Sequence, residues 1–362
     1  MSKDAKNVPA LRFKGYSDAW EKRKFKDLVV RVNKTSDDST IPSVEFEDII
    51  SKQGRLNKDV RLKINSKQGI YFEPQDVLFG KLRPYLQNWL FPSFYGRAVG
   101  DFWVLRANSS VLSEYLFVLI QSPRFQIVAN ISSGTKMPRS DWNTVSNTSF
   151  PIPVQSEQRK IWQLFNVLDN LIAATQHKID ALEQTKKALL QRLFDQSWRF
   201  KGYSDPWEKR KLGEVATITM GQSPDSKNYT LNPQDHILVQ GNADIKNGWV
   251  EPRVWTTQIT KIAKKGSVLL SVRAPVGEVS KTAFDVVLGR GVASVGQTDF
   301  LYQYLITLKI NGFWLRYSTG STFDSINSAD IKDAIIFLPK KNEQDRIAKT
   351  LNCIDSLIVS VT

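Results

Sequence analysis

An internal duplication constrains this chain more than any other feature. Residues 12–24 read Arg-Phe-Lys-Gly-Tyr-Ser-Asp-Ala-Trp-Glu-Lys-Arg-Lys, and residues 199–211 repeat them with one change, Pro206 in place of Ala19. A match of that quality, 187 positions apart, does not arise by chance, and the period is far too long for a solenoid. Weaker echoes follow at similar offsets. Glu157-Gln158-Arg159 finds Glu343, Gln344 and Arg346, and Leu168-Asp169 finds Ile354-Asp355. Ser133-Gly134-Thr135 finds Thr319-Gly320-Ser321, and Asp76-Val77-Leu78 with Arg83 loosely finds Ser267-Val268-Leu269 with Arg273. The chain is a duplication of one domain plus one helix. Its frames agree while residues 30–130 and 217–315 share little, as expected of one scaffold reading two different targets.

Short β-type runs such as 101–106 and 267–272 are punctuated by Gly, Pro and Asn, and helical stretches fall near 112–128 and 299–317. Each unit therefore reads as α+β, with a twisted, mainly antiparallel or mixed sheet. Residues 155–194 differ. Ile161, Phe165, Leu168, Ile172, Ile179, Leu182, Leu189 and Leu193 keep a spacing of 4 and 3 when Thr175 and Lys186 are counted as interruptions. That is a heptad seam, on a rod of roughly 60 Å at about 1.5 Å per residue. Pro151 and Pro153 followed by Ser156, Glu157 and Gln158 mark its start. The second copy keeps the register at Ile347, Leu351, Ile354, Ile358 and Val361, where the sequence stops. The expected organisation is a first domain over 1–154, a spacer helix over 155–198, a second domain over 199–338 and a shortened spacer helix over 339–362, the helices forming a coiled coil. On this reading the chain is truncated, or another chain covers the stripe around Ile179 and Leu189.

Lys and Arg total 50 against 36 acids, a net charge of +14, which favours a polyanion. The excess lies on the globular units: +8 over 1–154 and +4 over 199–338, against +1 over 155–198 and +1 over 339–362. Two basic ends on a near-neutral rod suit a bipartite contact with nucleic acid. A membrane-surface protein would rather carry its basic residues on an amphipathic helix. Arginine's fork matches guanine edges and lysine serves phosphate as a point charge. The candidate contacts are Lys81, Arg83 and Tyr85 in a Gly-Lys-Leu-Arg-Pro-Tyr segment, Lys136 and Arg139 in a second basic segment, Arg273 before Ala274-Pro275, and Arg290 between two glycines free to approach a groove. Ser321 and Thr322 offer hydroxyls to phosphate. The competing reading is that the glycines and prolines only make turns and the arginines pair with nearby acids. Most aromatics read as core, with Trp20 and Trp207 as anchors of the repeated frame.

Catalytic constellations are scarce. One cysteine, Cys353, excludes an internal disulfide framework and a multi-cysteine zinc site, and His177 and His236 are too few for a histidine-rich metal centre. There is no phosphate-loop motif and no Asn-Pro-Pro-Tyr or Asp-Pro-Pro-Tyr of an amino-methyltransferase. Pro224-Asp225 with Asp244-Ile245-Lys246 fits a loose metal-nuclease template, two carboxylates for Mg2+ and a lysine for the attacking water. A turn and a polar hairpin explain the same residues. No apolar run approaches the ~20 residues of a membrane span, and the first residues lack the apolar core of a signal peptide, so a cytoplasmic protein is expected.

The doubled frame resembles the specificity subunit of type I restriction–modification systems. So do the Pro-x-x-x-Glu-Gln starts of the helices at Pro153 and Pro339, the Leu-Asp-x-Leu-Ile element at 168–172 with its partner at 354–358, and the lysine-rich stretch closing at Leu193-Phe194. The resemblance implies two target-recognition domains, each reading half of a bipartite double-stranded DNA site, with the helices as a ruler between them. It implies no catalysis or cofactor in this chain. Methyltransferase (modification) subunits would bring S-adenosylmethionine, and restriction subunits ATP and Mg2+. The family's second helix runs on where this one stops, which leaves open an inactive half-scaffold or one that self-dimerises through the exposed stripe. The readings from other classes are a stand-alone metal-dependent DNA nuclease and a coiled-coil scaffold.

Overall fold

The computed structural model describes residues 9–63, 66–131, 136–317 and 325–361. It divides into two compact units, residues 1–173 and 174–362.

The repeated frame folds the same way in both. Glu21–Lys24 pairs antiparallel with Ser149–Ile152, and Glu208–Lys211 pairs antiparallel with Ile335–Leu338. Arg12 then grips Glu157 through Nε (3.0 Å) and Nη2 (2.7 Å), and Arg199 grips Glu343 likewise at 3.0 and 2.6 Å. The following glutamine reaches back to the segment entering its own helix: Gln158 Nε2 donates to the Pro153 carbonyl and Gln344 Nε2 to that of Pro339, both at 2.9 Å. These contacts are why Arg, Glu and Gln recur. Both glutamates are buried, and an unpaired carboxylate there would carry its full desolvation penalty.

Inside the frame each unit carries two sheets. In unit 1, Val29–Val32, Phe102–Ala107, Val77–Gly80 and Trp89–Leu90 form one antiparallel sheet in that order. A second runs Thr35–Ser36, Gly69–Phe72, Gly96–Ala98, Ser43–Val44, the last pair parallel. Unit 2 repeats the plan with extra edge strands. Ile218–Met220, Val292–Val295, Val268–Ser271 and Val279–Lys281 build its first sheet, and its second pairs His236–Val239 in parallel with Val286–Leu288. The sheets are thus mixed, and the fold is α+β as expected. Central strands Val77–Gly80 and Val268–Ser271 are buried at every position, which explains their continuous apolar sequence.

Backbone pairing corrects the internal alignment. Lys81 N–H donates to the Asp101 carbonyl and Ser140 N–H to that of Lys81, both at 2.8 Å. Val272 N–H donates to Gly291 (2.9 Å) and Ile326 N–H to Val272 (3.0 Å). Lys81 therefore corresponds to Val272, so Arg273 is the counterpart of Leu82, and Arg83 that of Ala274. The loose sequence match of Arg83 with Arg273 slipped by one residue, because nothing in the sequence marks the four-residue insertion before this strand.

Gln155–Phe194 is one 40-residue helix, and Lys341–Val361 is the second. The heptad seam is only partly used as a helix-to-helix contact. Ile161 is half-buried, while Phe165, Leu168 and Ile172 are exposed along with Leu164, Val167 and Leu171. In unit 2, Ile179, Leu182, Ile354 and Ile358 are half-buried, and Lys186 pairs with Asp355 across the two helices. Leu193 is buried with Ile347 and Leu351 in the core of unit 2, and Leu189 packs against it. The open stripe is thus 164–172 and not the region around Ile179 and Leu189, because the helix end has an apolar core to enter.

Candidate nucleic-acid interface

In unit 2 the ends of three strands meet at a polar recess of about 310 Å3, lined by Ser223, Gln240, Asn242, Arg273, Arg290 and Gly291 among others. The backbone there is packed at contact distance. A Cβ on Gly291 would lie 2.1 Å from the Gln240 carbonyl, and one on Gly221 would lie 2.0 Å from that of Gly289. The glycines beside Arg290 therefore hold the strand ends together and do not free the arginine to roam. Arg290 N–H is further fixed on Ser223 Oγ at 3.1 Å. Asn242 accepts from the Ser271 hydroxyl and donates to the Pro275 carbonyl at 3.1 Å. The Arg273 and Arg290 side chains are exposed and, among the described residues, have no carboxylate partner. Two exposed guanidiniums without carboxylate partners among the described residues, on a closely packed backbone and beside amide side chains, are of the chemistry that pairs with guanine and adenine edges of duplex DNA.

In unit 1 the two basic segments found in the sequence are brought together. Leu82 and Arg139 form a β-bridge, and Arg83 N–H donates to the Pro138 carbonyl at 2.8 Å. Here a carboxylate sits among the cations. Asp101 pairs with Lys81 at 3.5 Å and accepts from Arg139 Nε and Nη2 at 3.0 and 2.9 Å. The expectation that arginines pair with local acids therefore holds for Arg139. Arg83 is exposed, with φ +47, and has no carboxylate partner among the described residues. It opens a tight turn, Pro84–Leu86, that presents Tyr85 with 54% of its surface exposed. Lys136 is exposed, whereas residues 132–135 and 318–324 lie outside the described residues, and with them Ser321, Thr322 and the Ser133-Gly134-Thr135 match.

The equivalences turn this into a side-by-side reading. Asp48 accepts from Glu45 N–H at 2.8 Å as Asp244 accepts from Gly241 N–H at 3.3 Å, so Phe46 corresponds to Asn242. Phe46 stacks on Phe102 at 4.5 Å where unit 2 has its polar recess. Gly80, whose added Cβ would meet the Phe46 ring at 2.4 Å, corresponds to Ser271. Gly100-Asp101 corresponds to Arg290-Gly291: one rim carries an acid and the other a base, one residue apart. Around Phe46 other cations are also spent on acids. Glu45 is held below the usual carboxylate range by hydrogen bonds from Lys63 and Lys67. Gln240, Asn242 and Ser223 escaped the sequence reading because recess membership depends on strand pairing. The glycine cluster at 289–291 was the one available signal.

The nuclease template does not assemble as a shared site. Asp244 is buried and accepts from the Gln240 backbone (2.7 Å) and Arg253 (3.1 Å). Asp225 pairs with Lys227, and Lys246 with Glu251, each at 3.2 Å. Among the described residues no group of three or more metal-ligating side chains converges, and no helix is long and apolar enough to cross a membrane.

The chain is thus two copies of one mixed-sheet scaffold, each with a basic rim of different composition. The chain belongs to the type I restriction modification DNA specificity domain family, whose model matches residues 17–184 and 204–361. It is 31% identical over 275 residues to the "Putative type I restriction enzyme MjaX specificity subunit" of Methanocaldococcus jannaschii, covering 70% of this chain and 64% of that one. The MjaVIII specificity subunit of the same organism is 22% identical over 70% of this chain and 66% of its own length. The chain thus spans just under two thirds of these relatives. A solved chain described under complex assembly and conformational transition of the type I R-M system is 26% identical, with a TM-score of 0.59, covering 98% of this chain and 93% of its own. The type I S subunit of M. genitalium, at 12% identity and a TM-score of 0.65, shares the fold over 98% of this chain and 94% of its own.

Proposed function

We propose that this chain is the specificity subunit of a type I restriction–modification complex and that each unit reads one part of a two-part duplex DNA site. The observation that carries this reading is substitution at equivalent rim positions on a shared backbone: Leu82 against Arg273, Gly100-Asp101 against Arg290-Gly291, Phe46 against Asn242. Scaffold positions such as the Arg–Glu clamp are kept, while the positions that face outward change chemistry.

Arg273 and Arg290 supply forked donors for guanine, and Gln240 an amide suited to adenine. Arg83, Lys136 and the half-neutralised Lys81 and Arg139 of unit 1 supply phosphate contacts, with Tyr85 as an apolar face. The long helices set the distance between the half-sites. Base methylation and DNA cleavage, with S-adenosylmethionine, ATP and Mg2+, belong on this reading to methyltransferase and restriction subunits. The test is methylome sequencing of cells expressing those partners with and without this chain. The expected result is a split motif that appears only with the chain and loses one half when Arg273 and Arg290 are reversed. A methylation pattern indifferent to the chain would overturn the reading.

A further inference from the structure

The recess of unit 2 rests on a polar pair that unit 1 lacks. Ser271 ends a central strand, is completely buried, and gives its hydroxyl hydrogen to Asn242 Oδ1. Asn242 Nδ2 donates in turn to the Pro275 carbonyl at 3.1 Å. Ser271 and Pro275 flank Arg273, and the backbone closes behind them. Ser271 N–H donates to the Glu278 carbonyl at 2.8 Å, and Gly277 N–H to that of Ser271 at 2.9 Å. One carboxamide thus ties the strand end to the far side of the turn that carries Arg273. Asn242 is itself held. It opens the tight turn Asn242–Asp244, whose buried Asp244 accepts from Gln240 N–H at 2.7 Å, Gly241 N–H at 3.3 Å and Arg253 Nε at 3.1 Å.

In unit 1 the corresponding residues are Phe46 and Gly80, and they too fit only each other. Phe46 stacks on Phe102, and a Cβ at position 80 would lie 2.4 Å from its ring. The phenylalanine therefore excludes a serine there. The turn of unit 1 is held from another side, by Arg83 N–H on the Pro138 carbonyl at 2.8 Å. The two positions change together, Asn with Ser and Phe with Gly.

We propose that Asn242 and Ser271 are positioning residues for specificity. They read no base themselves but fix the turn from which Arg273 does, so the choice made by unit 2 depends on a buried serine that no duplex can touch. The inference rests on the reading of Arg273 as a base contact. A forked donor discriminates only when both of its hydrogens meet acceptors at once, and a turn tethered on both sides limits the directions the guanidinium can take. Arg290 is the internal control, because its backbone is anchored on Ser223 and not on Asn242.

The test uses the full chain with its methyltransferase partner and the duplex carrying the split motif, changed at one base pair of the unit 2 half-site at a time. Fluorescence anisotropy gives the discrimination at each position, and Arg273→Ala and Arg290→Ala mark the base pair that each arginine reads. Ser271→Ala removes one buried oxygen and no surface. It should lower discrimination at the Arg273 base pair by roughly threefold to tenfold, and leave the Arg290 base pair and the salt dependence unchanged. Asn242→Ala should relax the same base pair. In that background Arg273→Ala should cost less than it does alone, while Arg290→Ala should cost the same. Full discrimination in Ser271→Ala overturns the proposal. So does an Asn242→Ala that relaxes a different base pair additively with Arg273→Ala, which would make Asn242 a base contact. Equal weakening at every base pair would reduce the two residues to a structural role and overturn it as well. Each of these results leaves the reading by Arg273 standing, whereas an Arg273→Ala that shifts no base preference removes that reading and the proposal together.

Discussion

Unit 1 and unit 2 share a backbone and disagree at both ends of it. At the outward rim, unit 1 sets Asp101 among its cations while unit 2 sets Arg290 next to a bare glycine. At the helix side, unit 1 leaves Trp20, Ile161 and Phe165 around a cavity while unit 2 covers their counterparts with Leu190 and Leu193. The lesson is that the charge a rim presents is set locally and not by the count over its domain: Asp101 holds Lys81 and Arg139 in unit 1, whereas Arg273 and Arg290 have no carboxylate partner among the described residues.

The sharpest way to break the contrast at the helix side is Leu193→Ala. With Leu193 almost fully buried, about 2–5 kcal/mol should be lost from unit 2 alone. Hydrogen exchange should show faster opening across residues 207–338 and unchanged protection across 20–150. At the rim, Arg273→Glu with Arg290→Glu should cut affinity for the unit 2 half-site by about a hundredfold, at roughly 1–3 kcal/mol per contact, leaving the other half-site untouched. Fluorescence anisotropy with each half altered in turn would show this, and equal losses on both halves would dissolve the contrast. Asp101→Asn goes the other way. Releasing Lys81 and Arg139 should raise duplex affinity a few-fold and steepen its salt dependence by up to about two ions.

The smallest effect is a pH dependence. Asp169 is held above the usual carboxylate range in the folded state, so the unfolded chain ionises first as pH rises, and native stability falls across that window. Asp169→Asn should therefore raise the melting temperature of unit 1 slightly at pH 7 and leave it unchanged near pH 3, as followed by calorimetry. An increment that persists at pH 3 would trace to packing.

Much of the architecture was readable from the sequence because it is written there twice. The 12–24 and 199–211 frames, the Glu157 and Glu343 starts and the long helix all carry local signals: identity, a repeated Glu-Gln pair after proline and a 3–4 spacing. The rims were harder. Lys81, Arg83 and Arg139 could be chosen by type, but that one carboxylate binds both Lys81 and Arg139 depends on a β-bridge between residues 57 apart. The register of Arg273 was lost to an insertion that only strand pairing exposes. The heptad seam overstated helix-to-helix contact, because periodicity reports which face is apolar and not what covers it.

One last consequence follows from the short strand pairs that join the start of each unit to its end. Counterpart residues stand 187 positions apart at the frame, 191 at the central strand and 186 at the closing strand. Unit 2 has gained four residues and then shed five without disturbing Glu208–Lys211 against Ile335–Leu338. Because the ends are tied to each other, lengthening an interior loop costs only the slow logarithmic growth of loop-closure entropy. Evolution is therefore free to edit the middle of such a cassette by insertion and deletion as well as by point change, while its seams stay fit to be spliced.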